Sequence, residues 1–277
     1  MDRYAVFGYP VSHSLSPKIH RHFALQEEQA LTYEAIEAAP GMLKDALQSF
    51  ADSGGLGCNI TVPHKADAAR LAARQSDAVA LAGAANTLCR RQGAWEAHNT
   101  DGLGLLADLG ALKWTLAGRR IALVGAGGAS AGVLGPLLDA GPAQLLVLNR
   151  TPERAEELCS RFKNHRKAHC LGWDGLTVAA QFDGIINATA ASLAGERPAL
   201  PQTVWAPGAF AYDMMYAAAP TAFLAWAGAE GVQARADGFG MLVEQAAEAF
   251  ALWRGVRPST AGVRVQLRPP TPSSNLR

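Results

Sequence analysis

The sequence lacks the features that would bind it to a membrane or a nucleic acid. Its 277 residues include 25 basic and 24 acidic side chains, a formal net charge of +1, so no positive field is available to hold nucleic acid or an anionic membrane. No apolar run reaches membrane length, and the N-terminal residues contain no long apolar segment of a secretory signal. We therefore expect a cytoplasmic protein whose partner is a small molecule.

Cysteine is also scarce, and the four cysteines form no CxxC pair. They are Cys58, Cys89, Cys159 and Cys170. Their scatter argues against a zinc site or a disulfide framework and favours a reducing compartment, so we interpret them as small core residues. His13, His20 and His22 share no face with a carboxylate partner. We interpret them as surface or loop residues and expect no metal.

Short β-type runs alternate with helical segments, which indicates an α/β protein with largely parallel sheets. The runs are residues 4–7, 32–36, 56–62, 121–124, 145–148, 184–187 and 209–213. Since a new strand–glycine–helix unit begins at Arg119, we predict two α/β domains with a cleft between them. A substrate-binding domain would comprise residues 1–101 plus 238–277, and a nucleotide-binding domain residues 102–237.

Helical spacing of apolar residues predicts helices over 101–114 and 241–253. Periodicity is lost after Pro258, and the last dozen or so residues are rich in proline, serine and arginine. We predict a mobile tail there.

Residues 59–65 place a lysine just beyond a strand end. Pro63 cannot continue a central strand, so it ends the apolar run and leaves Lys65 near the start of a helix. Asn59 and Thr61 add two neutral hydrogen-bonding side chains. This set suits a hydroxylated substrate and a proton-transferring amine, although a lone lysine would more often be a surface charge.

A glycine-rich turn follows the strand at 121–124. Its residues are Gly125, Ala126, Gly127, Gly128, Ala129 and Ser130. Glycines let the backbone approach a pyrophosphate, which the free amides and the dipole of the next helix bind. Such a turn can also serve packing alone, so the continuation of the sequence decides.

The next strand ends in Asn149, Arg150, Thr151 and, after Pro152 and Glu153, Arg154. An enzyme selective for NAD usually has an acidic residue there for the ribose 2′-hydroxyl, whereas arginines suit a 2′-phosphate. The sequence therefore favours NADP, with Arg150 as the stronger candidate. The alternative is a helix start with solvated charges.

A loop near the N-terminus offers two further hydroxyls, Ser14 and Ser16, suited to a carboxylate or a sugar-like ring. Ser16 precedes Pro17, and helix capping would explain it equally well. Asn86 and Asp101 supply an amide and a carboxylate at strand or turn ends, and each could also be a turn former.

With these motifs the chain resembles the shikimate dehydrogenase family over nearly its whole length. The matching blocks are the Ser14/Ser16 loop, residues 59–65, 83–87, 99–102, 125–130, 149–154, 187–189, 212–216 and 236–245. The resemblance implies two α/β domains, the N-terminal one completed by the C-terminal helices. A homodimer is a candidate assembly, although the sequence does not show the oligomeric state. It also implies NADP-dependent, reversible reduction of 3-dehydroshikimate to shikimate in aromatic amino-acid biosynthesis.

Roles carried over from the family make Lys65 the catalytic acid/base and Asp101 its partner. The resemblance implies substrate contacts from Ser14, Ser16, Asn59, Thr61, Asn86, Asp101, Tyr216 and Gln245. On the NADP side it implies the turn at 125–130, the run at 149–154, and Asp77, Met214 and Gly238.

Some positions depart from the family pattern, among them Ala131 after the glycine turn and the loop at 187–192. They put the loop conformation beside the nicotinamide in question. One rival is a quinate/shikimate dehydrogenase with relaxed NAD or NADP use. Another is a non-catalytic nucleotide-sensing module on the same fold, against which the presence of both Lys65 and Asp101 speaks.

Overall fold

The computed structural model describes residues 1–163, 168–172 and 180–268. The strands are β1 (Asp2–Gly8), β2 (Leu31–Glu37), β3 (Gly55–Ile60), β4 (Arg74–Gln75), β5 (Thr87–Arg91), β6 (Ala94–His98), β7 (Arg120–Val124), β8 (Gln144–Asn149), β9 (Ala168–Gly172), β10 (Phe182–Asn187), β11 (Trp205–Asp213) and β12 (Ala234–Asp237). The helices are α1 (Ser16–Gln26), α2 (Leu43–Asp52), α3 (Lys65–Leu71), α4 (Asp77–Ala82), α5 (Asp101–Ala111), α6 (Gly128–Asp139), α7 (Pro152–Arg161), α8 (Ala222–Ala229), α9 (Phe239–Arg254) and α10 (Ala261–Gln266).

The chain divides into two compact units. The first comprises Met1–Leu105 and Leu242–Leu267, and the second comprises Leu106–Met241 with Arg268. The domain boundaries that we derived from the sequence stay a prediction. In the part of the chain that is described, no helix is both long and apolar enough to cross a membrane.

The first unit contains a six-stranded sheet in the order β2-β1-β3-β5-β6-β4. The pairs β1–β2, β1–β3 and β4–β6 are parallel, whereas β3–β5 and β5–β6 are antiparallel. Phe7 and Ile60 belong to its buried core, with Leu43, Leu47 and Phe50 of α2 packed against them. The ends of β1 and β3 therefore lie side by side, each followed by a polar loop.

The second unit has a six-stranded sheet in the order β12-β11-β10-β7-β8-β9, and all its pairs are parallel. Numbered from its own first strand this is the order 3-2-1-4-5-6 of a Rossmann fold, which binds dinucleotides where the order reverses. That point lies at the carboxyl ends of β7 and β10. The predicted α/β class with a Rossmann-type domain is confirmed.

The cysteine prediction is only partly right. Cys58 and Cys89 are free and buried, and burial raises the pKa of the Cys58 thiol well above its usual value. Cys159 on α7, however, is disulfide-bonded. Separation along the chain does not reveal which cysteines approach in space, so the sequence could not show this bond. The disulfide weakens the argument for a reducing compartment.

Two elements were not predicted. The antiparallel hairpin of β5 and β6 turns at Gln92 and Gly93, both with positive φ (52° and 81°), as a two-residue type I′ turn requires. The helix α10 lies within the segment after Pro258, where periodicity is weak. The part of the predicted mobile tail from residue 269 onward lies outside the described residues.

Glu244 of α9 holds α10 in place. Its carboxylate accepts hydrogen bonds from Arg257 (2.6 Å), Thr260 (2.7 Å) and Arg264 (2.9 Å). Burial alone would raise the pKa of Glu244, but these bonds outweigh burial and hold the pKa below its ordinary value of 4.5. The ionised carboxylate therefore stabilises the folded chain.

We expect Glu244→Gln to lower the free energy of unfolding at neutral pH by about 1–3 kcal/mol, because the donors lose a charged acceptor. A carboxylate with a depressed folded pKa stabilises above its unfolded pKa, and this contribution disappears as the pH falls through the folded value. Urea unfolding should therefore show a difference between variant and wild type that shrinks below pH 4.5. Glu248→Gln, which removes a more exposed partner of Arg257, is the control and should cost less. A cost independent of pH would contradict this account.

Candidate active site

Lys65 and Asp101 form a buried ion pair in the first unit. Lys65 is the first residue of α3, directly after the turn that Pro63 produces, and Asp101 is the first residue of α5. Lys65 Nζ lies 2.5 Å from Asp101 Oδ2, with the two side chains 15% and 6% exposed. The amine is therefore oriented by a carboxylate largely removed from water, while part of Lys65 remains accessible.

Asn86 is the centre of the hydrogen-bond network around this pair. Its Nδ2 has three acceptors within reach for its two hydrogens, namely Asp101 Oδ1 (2.8 Å), Thr100 Oγ1 (2.9 Å) and Gln245 Oε1 (3.2 Å). Its Oδ1 accepts from the Thr100 amide at 2.8 Å. The structure thus brings four predicted site residues into one cluster, namely Lys65, Asn86, Asp101 and Gln245.

Asn59 joins the cluster through Thr87. Asn59 lies near the end of β3, and its Nδ2 donates to Thr87 Oγ1 at 3.1 Å. Thr87 Oγ1 in turn donates to Asn86 Oδ1 at 2.9 Å. A chain of neutral polar groups therefore runs from Asn59 to the carboxylate of Asp101. Such groups can hold the hydroxyls of a substrate without adding charge to the site.

The loops after β1 and β3 position the remaining predicted substrate residues of this unit. The Thr61 amide donates to Phe7 O (2.8 Å) and the Tyr9 amide donates to Val62 O (3.0 Å), so the two loops are joined. Ser14 is half-buried, and its Oγ accepts from the Ser16 amide at 3.2 Å. The predicted cap at Ser16 is wrong by one position, since α1 begins at Ser16 and Leu15 is its N-cap.

Sequence reasoning missed Thr87 and Thr100, which are both buried and bonded to Asn86. The available signal was their position directly after Asn86 and Asn99 at strand ends. His20 was also misjudged. It is 1% exposed and lies in the core, because the 3.6-residue period of α1 turns it inward together with Ile19 and Phe23.

The glycine-rich run leads from β7 into the first turn of α6 in the second unit. Gly125 has a φ of +111°, and a Cβ there would lie 3.1 Å from Thr189 Cγ2. Only glycine adopts this positive φ without strain and also leaves room for the Thr189 side chain. At Gly127, by contrast, a Cβ would contact nothing within 4 Å. Gly127 is the N-cap of α6, so open space lies beside the first turn of a 12-residue helix.

These residues fit a bound dinucleotide phosphate. Helix N-terminal amides and the open side of Gly127 provide what a pyrophosphate needs. Ser130 in the first turn of α6 is fully buried, and within the described chain its Oγ has no hydrogen-bond partner. A buried hydroxyl without a partner is unfavourable unless a ligand or water bonds it. The local chemistry is therefore consistent with the NADP predicted from the sequence.

The turn after β8 carries the predicted 2′-phosphate residues. Asn149 Nδ2 donates to Thr151 O at 2.8 Å, which fixes the turn, and Thr151 is the N-cap of α7. Arg150 and Arg154 are exposed. A cation in the first turn of a helix is disfavoured by the helix dipole. Helix stability therefore does not explain Arg154, and both guanidinium groups are accessible to a phosphate.

Asp213 orders the loops that follow β10 and β11. This fully buried carboxylate accepts from Thr221 Oγ1 (2.6 Å), Ser192 Oγ (2.7 Å), the Met215 amide (3.0 Å) and Asn187 Nδ2 (3.2 Å). Burial raises the pKa of Asp213, against the effect of these bonds. The departures at 187–192 therefore leave that loop with a defined conformation, including a 3₁₀ turn at Ala191–Ala194.

The other predicted contacts are more scattered. Met214 and Gly238 meet, since a Cβ on Gly238 would lie 2.1 Å from Met214 O. Tyr216 also belongs to the second unit, where its ring centre lies 6.3 Å from that of Phe239. Asp77 is exposed in the first turn of α4 in the first unit, a position that the helix dipole alone explains.

Three family models match the chain. Residues 6–88 match the shikimate dehydrogenase substrate binding domain, and residues 108–195 match shikimate / quinate 5-dehydrogenase. Residues 238–268 match the shikimate 5′-dehydrogenase C-terminal domain.

Curated relatives are similar over nearly their whole length. The chain is 54% identical over 272 residues to the shikimate dehydrogenase (NADP(+)) of Acidovorax ebreus, with 96% of each chain covered. It is 50% identical over 269 residues to the enzyme of the same name from Hahella chejuensis, with 97% of this chain and 99% of the relative covered.

Solved structures are similar as well. An Ael1 enzyme from Pseudomonas putida superposes with a TM-score of 0.91 at 44% identity, covering 98% of this chain and 100% of that one. The shikimate 5-dehydrogenase of Thermus thermophilus, in complex with NADP(H) and shikimate, gives a TM-score of 0.85 at 31% identity, covering 96% and 98%.

The open side of Gly127 generates a prediction. Gly127→Ala should raise the KM for NADP about tenfold, because a methyl group forced against a bound phosphate costs about 1–2 kcal/mol. Its melting temperature should hardly change, since the added Cβ contacts nothing. Steady-state kinetics and thermal unfolding test both parts. Gly110→Ala, another glycine with open space around it, is the control and should leave the KM unchanged. An unaltered KM in Gly127→Ala would place the phosphate elsewhere.

Proposed function

The chain belongs to the shikimate dehydrogenase family, and we propose that it catalyses the NADP-dependent, reversible reduction of 3-dehydroshikimate to shikimate. It is an oxidoreductase that uses NADP, with a place in the biosynthesis of chorismate and the aromatic amino acids. The observation that carries the proposal is the buried contact of Lys65 with Asp101 inside a cluster of neutral hydrogen-bonding groups.

Lys65 is the proton donor in the reductive direction. NADPH, when bound, supplies the hydride that reduces the substrate carbonyl. Negative charge develops on the substrate oxygen, and a protonated Lys65 stabilises this charge and then donates its proton. In the reverse direction Lys65 accepts the hydroxyl proton. Asp101 holds the amine in place through Oδ2 while Asn86 holds Oδ1.

The remaining polar residues of the first unit hold the substrate in this proposal. Ser14 and Ser16 offer hydroxyls for the carboxylate, while Asn59, Thr61, Asn86 and Gln245 offer groups for the ring hydroxyls. Tyr216 is an additional predicted contact, carried by the second unit. Support comes from the shared network of Asn59, Asn86 and Gln245, since one rigid network fixes the spacing of several groups at once.

The cofactor residues follow the same reasoning. The turn at 125–130 with the start of α6 would hold the pyrophosphate, and Asn149, Arg150, Thr151 and Arg154 the 2′-phosphate. Met214 and Gly238 would contact the nicotinamide portion. Asp77 is the weakest member of the set, because its position has a sufficient structural explanation.

Two parts of the sequence prediction accompany the proposal, a cytoplasmic location and a homodimer. Fractionation of the source cells tests the first, and sedimentation of the purified protein tests the second. A monomer at micromolar concentration would remove the dimer from the proposal without affecting the chemistry.

Oxidation of four substrate and cofactor pairs tests the function. Purified enzyme should produce an absorbance rise at about 340 nm with shikimate and NADP⁺. It should respond less to quinate or NAD⁺. Equal rates with quinate would favour the quinate/shikimate alternative, to which one matching family model also refers. No rise with any pair would leave a nucleotide-sensing module.

In the same assay Lys65→Met should lower kcat about 10²- to 10⁴-fold, the usual contribution of a positioned acid or base. The KM for shikimate should change little. Lys44→Met on α2, an exposed lysine, is the control and should retain wild-type rates. A Lys65→Met enzyme with wild-type kcat would refute the assignment.

Arg150→Ala should raise the KM for NADP about tenfold, because a charge-assisted contact with a phosphate contributes about 1.5–3 kcal/mol. The KM for NAD should not change, since NAD has no 2′-phosphate. Comparison of the two cofactors in the variant is the measurement. Equal increases for both cofactors would show that Arg150 supports the turn rather than binding the phosphate.

A further inference from the structure

Tyr33 makes a buried contact across the first sheet that the predicted mechanism does not use. It lies on β2, opposite Tyr4 of β1, whereas Asn59 of β3 lies opposite Val6. The ring of Tyr33 packs with Tyr4 and Val6 in one core cluster. It thereby crosses β1, a span of about 10 Å between the outer two strands, and its hydroxyl reaches Asn59 Oδ1 at 2.7 Å.

The direction of this hydrogen bond is fixed. Burial raises the pKa of Tyr33 well above its usual value of 10. The hydroxyl is therefore neutral and donates to Asn59 Oδ1. The amide of Asn59 has its oxygen toward Tyr33 and its nitrogen toward Thr87, at 3.1 Å. In the opposite orientation the Asn59 NH₂ group would face the Tyr33 hydroxyl and the Asn59 amide oxygen would face Asn86 O. Two acceptors would then lie against each other, because a carbonyl oxygen cannot donate a hydrogen bond.

His20 holds the Tyr33 ring. The two rings are stacked, with centres 4.2 Å apart and planes within 6°, and Trp253 packs against both. Burial lowers the pKa of His20 to about 3. The imidazole is therefore neutral at the pH at which enzymes work, and it fixes the ring without adding a charge beside the substrate residues.

We propose that Tyr33 is a positioning residue for the substrate: its hydroxyl orients the Asn59 amide so that the NH₂ end faces Thr87 and Asn86, which belong to the hydrogen-bonded cluster that holds the ligand. The inference rests on the proposed function, in which Asn59 and Ser16 contact the substrate. It assigns to Tyr33 an effect on substrate binding, with little effect on proton transfer at Lys65 or on the cofactor.

Tyr33→Phe tests the inference, because it removes the hydroxyl and keeps the ring that stacks on His20. The KM for shikimate should rise about fivefold to tenfold, the equivalent of one neutral hydrogen bond. We expect kcat and the KM for NADP to stay within about twofold of wild type, a split that general destabilisation would not produce. Thermal unfolding of each variant accompanies the kinetics.

Tyr4→Phe is the matched control. Tyr4 lies in the same core cluster and stacks on Trp253, but its hydroxyl contacts Arg254 rather than Asn59. The Tyr4→Phe variant loses the same hydroxyl oxygen as Tyr33→Phe, from the same aromatic cluster. Its KM for shikimate should equal that of wild type.

A double-variant comparison tests whether Tyr33 acts through Asn59. In an Asn59→Ala background, Tyr33→Phe should raise the KM for shikimate by a further factor of less than about two, because the amide that Tyr33 orients is absent. Full multiplication of the two effects would overturn the inference, as would a wild-type KM in an active Tyr33→Phe enzyme. If no variant and no wild-type enzyme oxidised shikimate, the proposed function itself would fail, and the inference with it.

Discussion

The burial of the Asp101 carboxylate is the constraint on which the first unit's polar site depends. A charged group removed from water costs several kcal/mol unless opposite charge and hydrogen bonds compensate it. Asp101 receives both, from Lys65 on one oxygen and from Asn86 on the other. Asp101 in turn stabilises the charge of Lys65. Lys65 begins a helix, where the dipole disfavours a cation, and Asp101 offsets that cost.

The amide of Asn86 extends this constraint to the rest of the cluster. It donates to Asp101 and Gln245 and accepts from Thr100, so it links the start of α5 to α9. Each donor in the network faces an acceptor that is already oriented by another contact. Displacement of any one group would leave a buried partner unsatisfied, which is more costly than the loss of a single exposed hydrogen bond.

Local sequence patterns were sufficient to predict the elements that carry the site. The lysine after Pro63 begins a helix as expected, and the glycine-rich run at 125–130 leads from β7 into the first turn of α6. The failures have different causes. The helix α10 depends on Glu244, a partner in another helix, and the hairpin β5–β6 turns at Gln92 and Gly93, which separation into short runs does not single out. Their local residues favour no single structure strongly enough to reveal them.

The contact of Tyr33 with Asn59 shows why residue types alone could not complete the site. Asn59 was identified from its position at a strand end, but an amide can present either a donor or an acceptor. Which of the two it presents depends on a hydroxyl 26 residues away and on the stack of His20 behind it. The residue pattern of β2 predicts a strand, but it does not predict which of its side chains contacts a residue on another strand. The chemical identity of a binding group is therefore determined here by packing that begins two strands away in the same sheet, and that packing is a property of the folded chain.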